Sequence, residues 1–219
     1  MDRNHLHYPA YARSERIADG VIHAIGVAFA LTGAIVLGVL ATRRAEGGLA
    51  VAVAIYGAAL LGTFLASACY HMTPWERFRP TLRRIDHAAI YLKIAGTYTP
   101  LAVLLGTAFS YAVLGLVWSL AVGGAVAKLF FWQNPGRLGL ALYLLMGWLS
   151  VLLFWPLASV LPWGALALVA VGGVLYTLGV VFFAWESLKF SNAIWHAFVL
   201  AASGCFFAAI ALGTMGLPA

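Results

Sequence analysis

The chain has 219 residues, 63% of them hydrophobic and only 9% charged, with a mean hydropathy of +0.95. A water-soluble domain carries roughly a quarter charged residues, so this composition excludes a soluble globular protein and requires lipid around the fold. The basic excess, 13 Lys and Arg against 7 Asp and Glu, forms no stripe and rests on no polar domain, which excludes nucleic acid as a partner and leaves the positive charge as a topology signal.

About 20 apolar residues cross the hydrocarbon core as a helix, and seven such runs follow one another. Residues 1–20 are polar and mixed in charge, with no cleavable signal peptide, and form an N-terminal segment ahead of a single transmembrane domain at 21–219. The first span covers Val21 to Thr42 and stops at Arg43-Arg44-Ala45-Glu46; the second covers Leu49 to Tyr70. A loop with two prolines and four arginines leads to the third, Asp86 to Gly106, which contains Lys93 and Pro100. The fourth, Phe109 to Leu129, follows after only a few residues and is closed by Gln133-Asn134-Pro135-Gly136-Arg137. The fifth runs from Leu138 to Trp155, and Pro156 and Pro162 bracket the turn that leads to the sixth, Trp163 to Trp185. Beyond Glu186 the seventh runs from Asn192 to Met215. The fold class is therefore an all-α membrane protein, a seven-transmembrane-helix bundle. Cys69 and Cys205 lie in apolar runs and are expected to be reduced packing residues. Trp75, Trp118, Trp132, Trp155, Trp163 and Trp185 stand near helix ends, as an interfacial belt requires.

Short cytoplasmic loops retain Lys and Arg. The N-terminus and the even-numbered loops hold Arg3, Arg13, Arg16, Arg77, Arg79, Arg83, Arg84, Lys128, Arg137 and Lys189, whereas the opposite side holds Arg43 and Arg44. That bias places the N-terminus in the cytoplasm and the C-terminus outside, in the cell membrane and, for a bacterial chain, the inner one.

Ionisable groups inside spans are costly and mark function. Here they share one depth. His23 opens the first helix, Ser67 and His71 close the second, Asp86 and His87 open the third, and Asn192 and His196 open the seventh. With alternating helix directions all of them fall at the cytoplasmic side. Ser67 and His71 are four residues apart and so share a helical face, as do Asn192 and His196. Lys93 lies seven residues beyond Asp86, two turns deeper on its face. Imidazoles near a carboxylate suit zinc, which lowers the pKa of a bound water to about 7. Asp86 and Asn192 are equally good N-cap residues, so a structural role for each stays open.

The stretches SACYH (Ser67 to His71), DHAAIYLKIAGTYTP (Asp86 to Pro100) and SNAIWHAFVLAAS (Ser191 to Ser203), with ERIADGVIHAIG (Glu15 to Gly26) ahead of them, resemble the hemolysin III family, the bacterial branch of the progestin and adiponectin receptor family. The resemblance covers essentially the whole chain. It implies seven helices, a cytoplasmic N-terminus and a zinc site linked to that of alkaline ceramidases. Carried over, His71 and His196 are metal ligands, Asp86 acts on the metal through a water, and Ser67 supports the site. One position departs: Asn192 stands where the family has the first histidine of a helix-seven pair. An amide oxygen is a weak zinc ligand beside imidazole, so His23, in its expected place, becomes the substitute or a hydrogen-bonding support. His87, about 100° round the helix from Asp86, points elsewhere. Three functions compete. The chain takes part in membrane lipid homeostasis or responds to lipid as a receptor does; it hydrolyses lipid amides or esters with Asp86 and Ser67 as catalytic groups; or it forms a pore. Membrane lipids are the expected partner in each.

Overall fold

A computed structural model describes residues 11–44, 47–131, 137–185 and 187–216. Arg3, the turn from Trp132 to Gly136, Ala45, Glu46 and Glu186 lie outside the described residues, as do the first ten residues of the N-terminal segment. The described residues form eight α-helices: α1 (Arg13–Arg44), α2 (Gly47–Met72), α3 (Arg79–Leu105), α4 (Ala108–Val126), α5 (Arg137–Trp148), α6 (Val151–Leu157), α7 (Trp163–Ala184) and α8 (Ser191–Met215). Seven spans among the described residues are long and apolar enough to cross a membrane, with α5 and α6 together forming the fifth. α1 packs against α2 and α8, α2 against α3, α3 against α4, and α7 against α8.

Three local features differ from the apolar pattern, each for a physical reason. First, α1 begins at Arg13, two turns before the apolar run. Glu15 secures that start, accepting the Ala12 N–H at 2.9 Å on one oxygen and the Phe190 N–H at 2.9 Å on the other. The same carboxylate thus fixes the entry to α8, where Phe190 takes a left-handed conformation (φ 64°).

Second, the fifth span is broken rather than continuous. The Tyr98 hydroxyl of α3 reaches the carbonyl oxygens of Met146 (2.7 Å) and Gly147 (3.1 Å), and the chain tightens locally, with Ser150 N–H bonded to Gly147 O and Leu153 N–H to Ser150 O. A side-chain donor intruding on helical carbonyls is a recognised cause of such a break. Pro156 lies inside α6 and does not end the span. Third, Trp118 turns inward to donate to Thr99 Oγ1 at 3.1 Å. Trp75, Trp155, Trp163 and Trp185 are exposed, as a belt requires.

The short break between the third and fourth spans has a definite device. Gly106 ends α3 in the left-handed region (φ 62°), and Thr107 and Ser110 then close a reciprocal capping box at the start of α4. Close packing sets α2 against α3: a Cβ on Gly96 would sit 2.6 Å from the Ala59 Cβ. That contact draws the middles of α2 and α3 together.

Candidate metal centre

Four helix ends meet at the N-terminal end of the bundle, and each of three helices contributes a pair of polar residues four positions apart. α1 supplies Asp19 and His23, α2 supplies Ser67 and His71, and α8 supplies Asn192 and His196. One potential ligand atom from each of Asp19, His23, His71 and His196 lies within 4.8 Å of those of the other three. Asp19, His23 and His71 are buried, and the His196 side chain is 12% exposed. The imidazole centroids are 5.0 Å apart for His23 and His71, 4.3 Å for His23 and His196, and 4.6 Å for His71 and His196.

Asp19 is the hub. Its Oδ1 lies 2.8 Å from His196 Nδ1 and 3.5 Å from His23 Nδ1; its Oδ2 lies 3.4 Å from His71 Nδ1 and accepts from Asn192 Nδ2 at 2.9 Å. Carboxylate and carbonyl oxygens only accept, so these contacts assign the tautomers. His196 Nδ1–H donates to Asp19 Oδ1, and His23 Nδ1–H donates to the Asp19 main-chain oxygen at 2.8 Å. In the neutral rings both Nε2 atoms then carry lone pairs, and both point at one hydroxyl: Ser67 Oγ is 3.2 Å from His23 Nε2 and 3.5 Å from His196 Nε2. One hydroxyl proton cannot serve two lone pairs, so the arrangement holds an electron pair in excess of its protons. Such a set can hold a metal ion, and a carboxylate that fixes the ring tautomer is the usual support of a ligating histidine.

The residues singled out in the sequence fall as follows. His71, His196, His23 and Ser67 come together. Asn192 joins them through its amide nitrogen, which is 2.9 Å from Asp19 Oδ2 and 3.2 Å from His71 Nδ1. The nitrogen carries no lone pair for a metal, so Asn192 braces the group, and the anionic oxygens beside it belong to Asp19. Asp86 is buried next to Ser67 and within electrostatic reach of His196, but stands outside the four-residue group. His87 also lies outside it, and its main-chain oxygen accepts from the Tyr143 hydroxyl at 2.9 Å. Lys93 is buried two turns deeper; its Nζ donates to Ser203 Oγ at 2.6 Å and lies over the Phe64 and Tyr176 rings at 5.0 and 5.1 Å. Cys69 and Cys205 are both free.

Asp19 was missed because it precedes the apolar run and so reads as part of the polar N-terminal segment. The signal was present: Asp19 and His23 have the same four-residue spacing as the pairs on α2 and α8, which extends the face upstream through Glu15.

Comparison with known proteins agrees with the motifs. A family model described as Haemolysin-III related matches residues 11–207. The Hemolysin-3 homolog of Bacillus subtilis (strain 168) is 36% identical over 206 residues, covering 93% of this chain and 96% of that protein. Hemolysin-3 of Bacillus cereus is 36% identical over 194 residues, covering 88% and 89%. The human Monocyte to macrophage differentiation factor is 32% identical over 166 residues, covering 71% and 67%.

Proposed function

The chain belongs to the haemolysin III-related family, and from that premise we propose that it is a multi-pass protein of the cell membrane, the inner membrane of a bacterium. In this reading its N-terminus is cytoplasmic, it holds zinc among Asp19, His23, His71 and His196, and it acts in membrane lipid homeostasis or in the response to a lipid. The observation that carries this reading is the convergence of those four side chains within 4.8 Å from three separate helices. Three imidazoles and a carboxylate are a donor set that zinc favours over harder cations. When bound there, zinc supplies Lewis acidity and ties α1, α2 and α8 to one another. The chain's own groups prepare the place. Asp19 orients the imidazoles, Asn192 holds Asp19, and Glu15 fixes the first turn of α1 to the start of α8.

A second reading, hydrolysis of a lipid amide or ester, has one specific support. Ser67 Oγ stands beside the Nε2 atoms of His23 and His196, and the Asp86 carboxyl stands beside Ser67. Asp86 is then the group that accepts a proton from the attacking water, and Ser67 the group that orients it. The names of the Bacillus relatives suggest lysis for those proteins. In this chain Lys93, Phe64 and Ser203 are buried in the interior below the cluster, which argues against a water-filled pathway.

The test is elemental analysis of the purified full chain, followed by zinc titration and an assay of ceramide and lipid-ester cleavage. The wild type is expected to hold zinc in equimolar amount, His196→Ala to lose it, and Asn192→His to hold it more tightly by adding a fourth imidazole. A wild type that takes up no zinc overturns the metal reading. A zinc-loaded protein without turnover removes the hydrolase reading alone.

A further inference from the structure

Beside the histidine group, but not part of it, a cleft of about 390 Å³ opens at the N-terminal end of the bundle, lined by Tyr11, Arg13, Arg16, Ile17, His71 and Met72. Among the described residues two guanidinium groups line it and no carboxylate does, while Arg16 also lines an adjoining pocket with Glu15 and Asp19. The nearest acid in sequence, Glu15, is engaged by the main-chain N–H groups of Ala12 and Phe190. Arg13 and Arg16 are exposed and form no ion pair with a carboxylate among the described residues; the ion pairs there all belong to Asp19. The inner wall is His71, only 8% exposed, so the cleft reaches the edge of the cluster.

The apolar side of the cleft continues along α1. Arg13, Ile17, Val21 and Ile25 follow at four-residue intervals and therefore share a face. Ile17, Val21 and Ile25 are 57%, 52% and 50% exposed. This face presents a cation at the bundle end and a bare apolar track running into the bilayer, the order in which a phospholipid presents its headgroup and chain. Retention of Arg at one membrane side accounts for cations at this end in general. It does not account for two of them on one cleft whose described lining includes no acid.

We infer that this cleft binds a phosphate-bearing anionic headgroup, that of a lipid in the leaflet adjoining the N-terminal end of the bundle. Two guanidinium forks match phosphate oxygens in geometry as well as charge, while Ile17 and Met72 meet the first carbons of the chain. The inference stands apart from the zinc reading, since neither arginine belongs to the cluster.

The experiment is thermal unfolding of the full chain in a neutral detergent, titrated separately with phosphatidylglycerol, phosphatidylcholine and sodium phosphate, each with and without a chelator. Phosphatidylglycerol is expected to raise the midpoint saturably, and phosphatidylcholine to do so only weakly. The R13Q/R16Q double variant should weaken the phosphatidylglycerol response about tenfold or more. R13K/R16K should recover part of it, and R43Q, a cation lost at the other end, should leave it unchanged. If the double variant does not purify, R13Q and R16Q alone are each expected to weaken the response about fivefold. Sodium phosphate reproducing the arginine-dependent rise supports the site and assigns it to a soluble phosphate ester. Equal responses to the two lipids, equal losses in R43Q and the arginine variants, or a response that disappears with the chelator each overturn the assignment.

Discussion

Two of the places where the bundle buries charge are solved in opposite ways. At the N-terminal end, one carboxylate gathers three imidazoles, and two ring lone pairs compete for the single proton of Ser67. Two turns deeper, Lys93 forms no ion pair with a carboxylate among the described residues. Its ammonium is held by the Ser203 hydroxyl and by the faces of Phe64 and Tyr176, and the Tyr176 hydroxyl lies 3.0 Å from Ser203 Oγ. The first group is short of protons and suited to a cation from outside. The second is a cation already satisfied by its neighbours. A charge inside a membrane bundle is therefore read by what its partners lack, not by its presence alone.

That contrast is tested most severely at Asp19. Asp19→Asn keeps the shape but leaves one acceptor oxygen for two donors, so either the Asn192 amide or His196 Nδ1–H is set against an NH2 group. Breaking one partner of a buried charged network costs about 3–5 kcal/mol, and removing the support of ligating histidines weakens metal binding by roughly 10- to 100-fold. Denaturant unfolding and zinc titration of the variant check both. Wild-type stability together with wild-type zinc affinity would show that Asp19 is a bystander.

Much of the architecture was legible because the bilayer imposes it. Span length and the absence of charge find seven crossings, and the two places where they mislead are governed by groups outside the window being read. The break in the fifth span comes from Tyr98, roughly fifty residues upstream, whose hydroxyl reaches the carbonyls of Met146 and Gly147. The early start of α1 depends on Glu15 bonding Phe190 across the bundle. At the site, His23, Ser67, His71, Asn192 and His196 were legible from shared depth and four-residue spacing. Asp19 was not, because the first apolar run begins at Val21, two residues beyond it. The orientation of the Asn192 amide depends on Asp19 and was beyond sequence for the same reason.

A smaller effect is expected at the opposite end of the bundle, far from both charged groups. Thr107 and Ser110 exchange hydrogen bonds of 3.1 and 3.2 Å between side chain and main chain at the start of α4. Thr107→Ala removes one of the pair and should cost about 1 kcal/mol in unfolding free energy. Zinc binding should not change, which makes this variant the control that separates general loss of stability from loss of the site.

The smallest change is expected at Lys93, and it bears most directly on the contrast between the two groups. Lys93→Met conserves length and volume, removes a charge that no carboxylate among the described residues pairs, and leaves Ser203 bonded to the Val199 carbonyl and to Tyr176. Replacing a buried charge by a well-packed apolar side chain is often neutral or slightly stabilising. Unfolding of Lys93→Met should therefore match or exceed the wild type, with zinc affinity unaltered, because Phe64 and two helical turns separate the cation from the imidazoles. Loss of zinc binding in a stable Lys93→Met protein would join the two groups into one electrostatic unit. The interior cation would then be a functional counterpart of the histidine cluster.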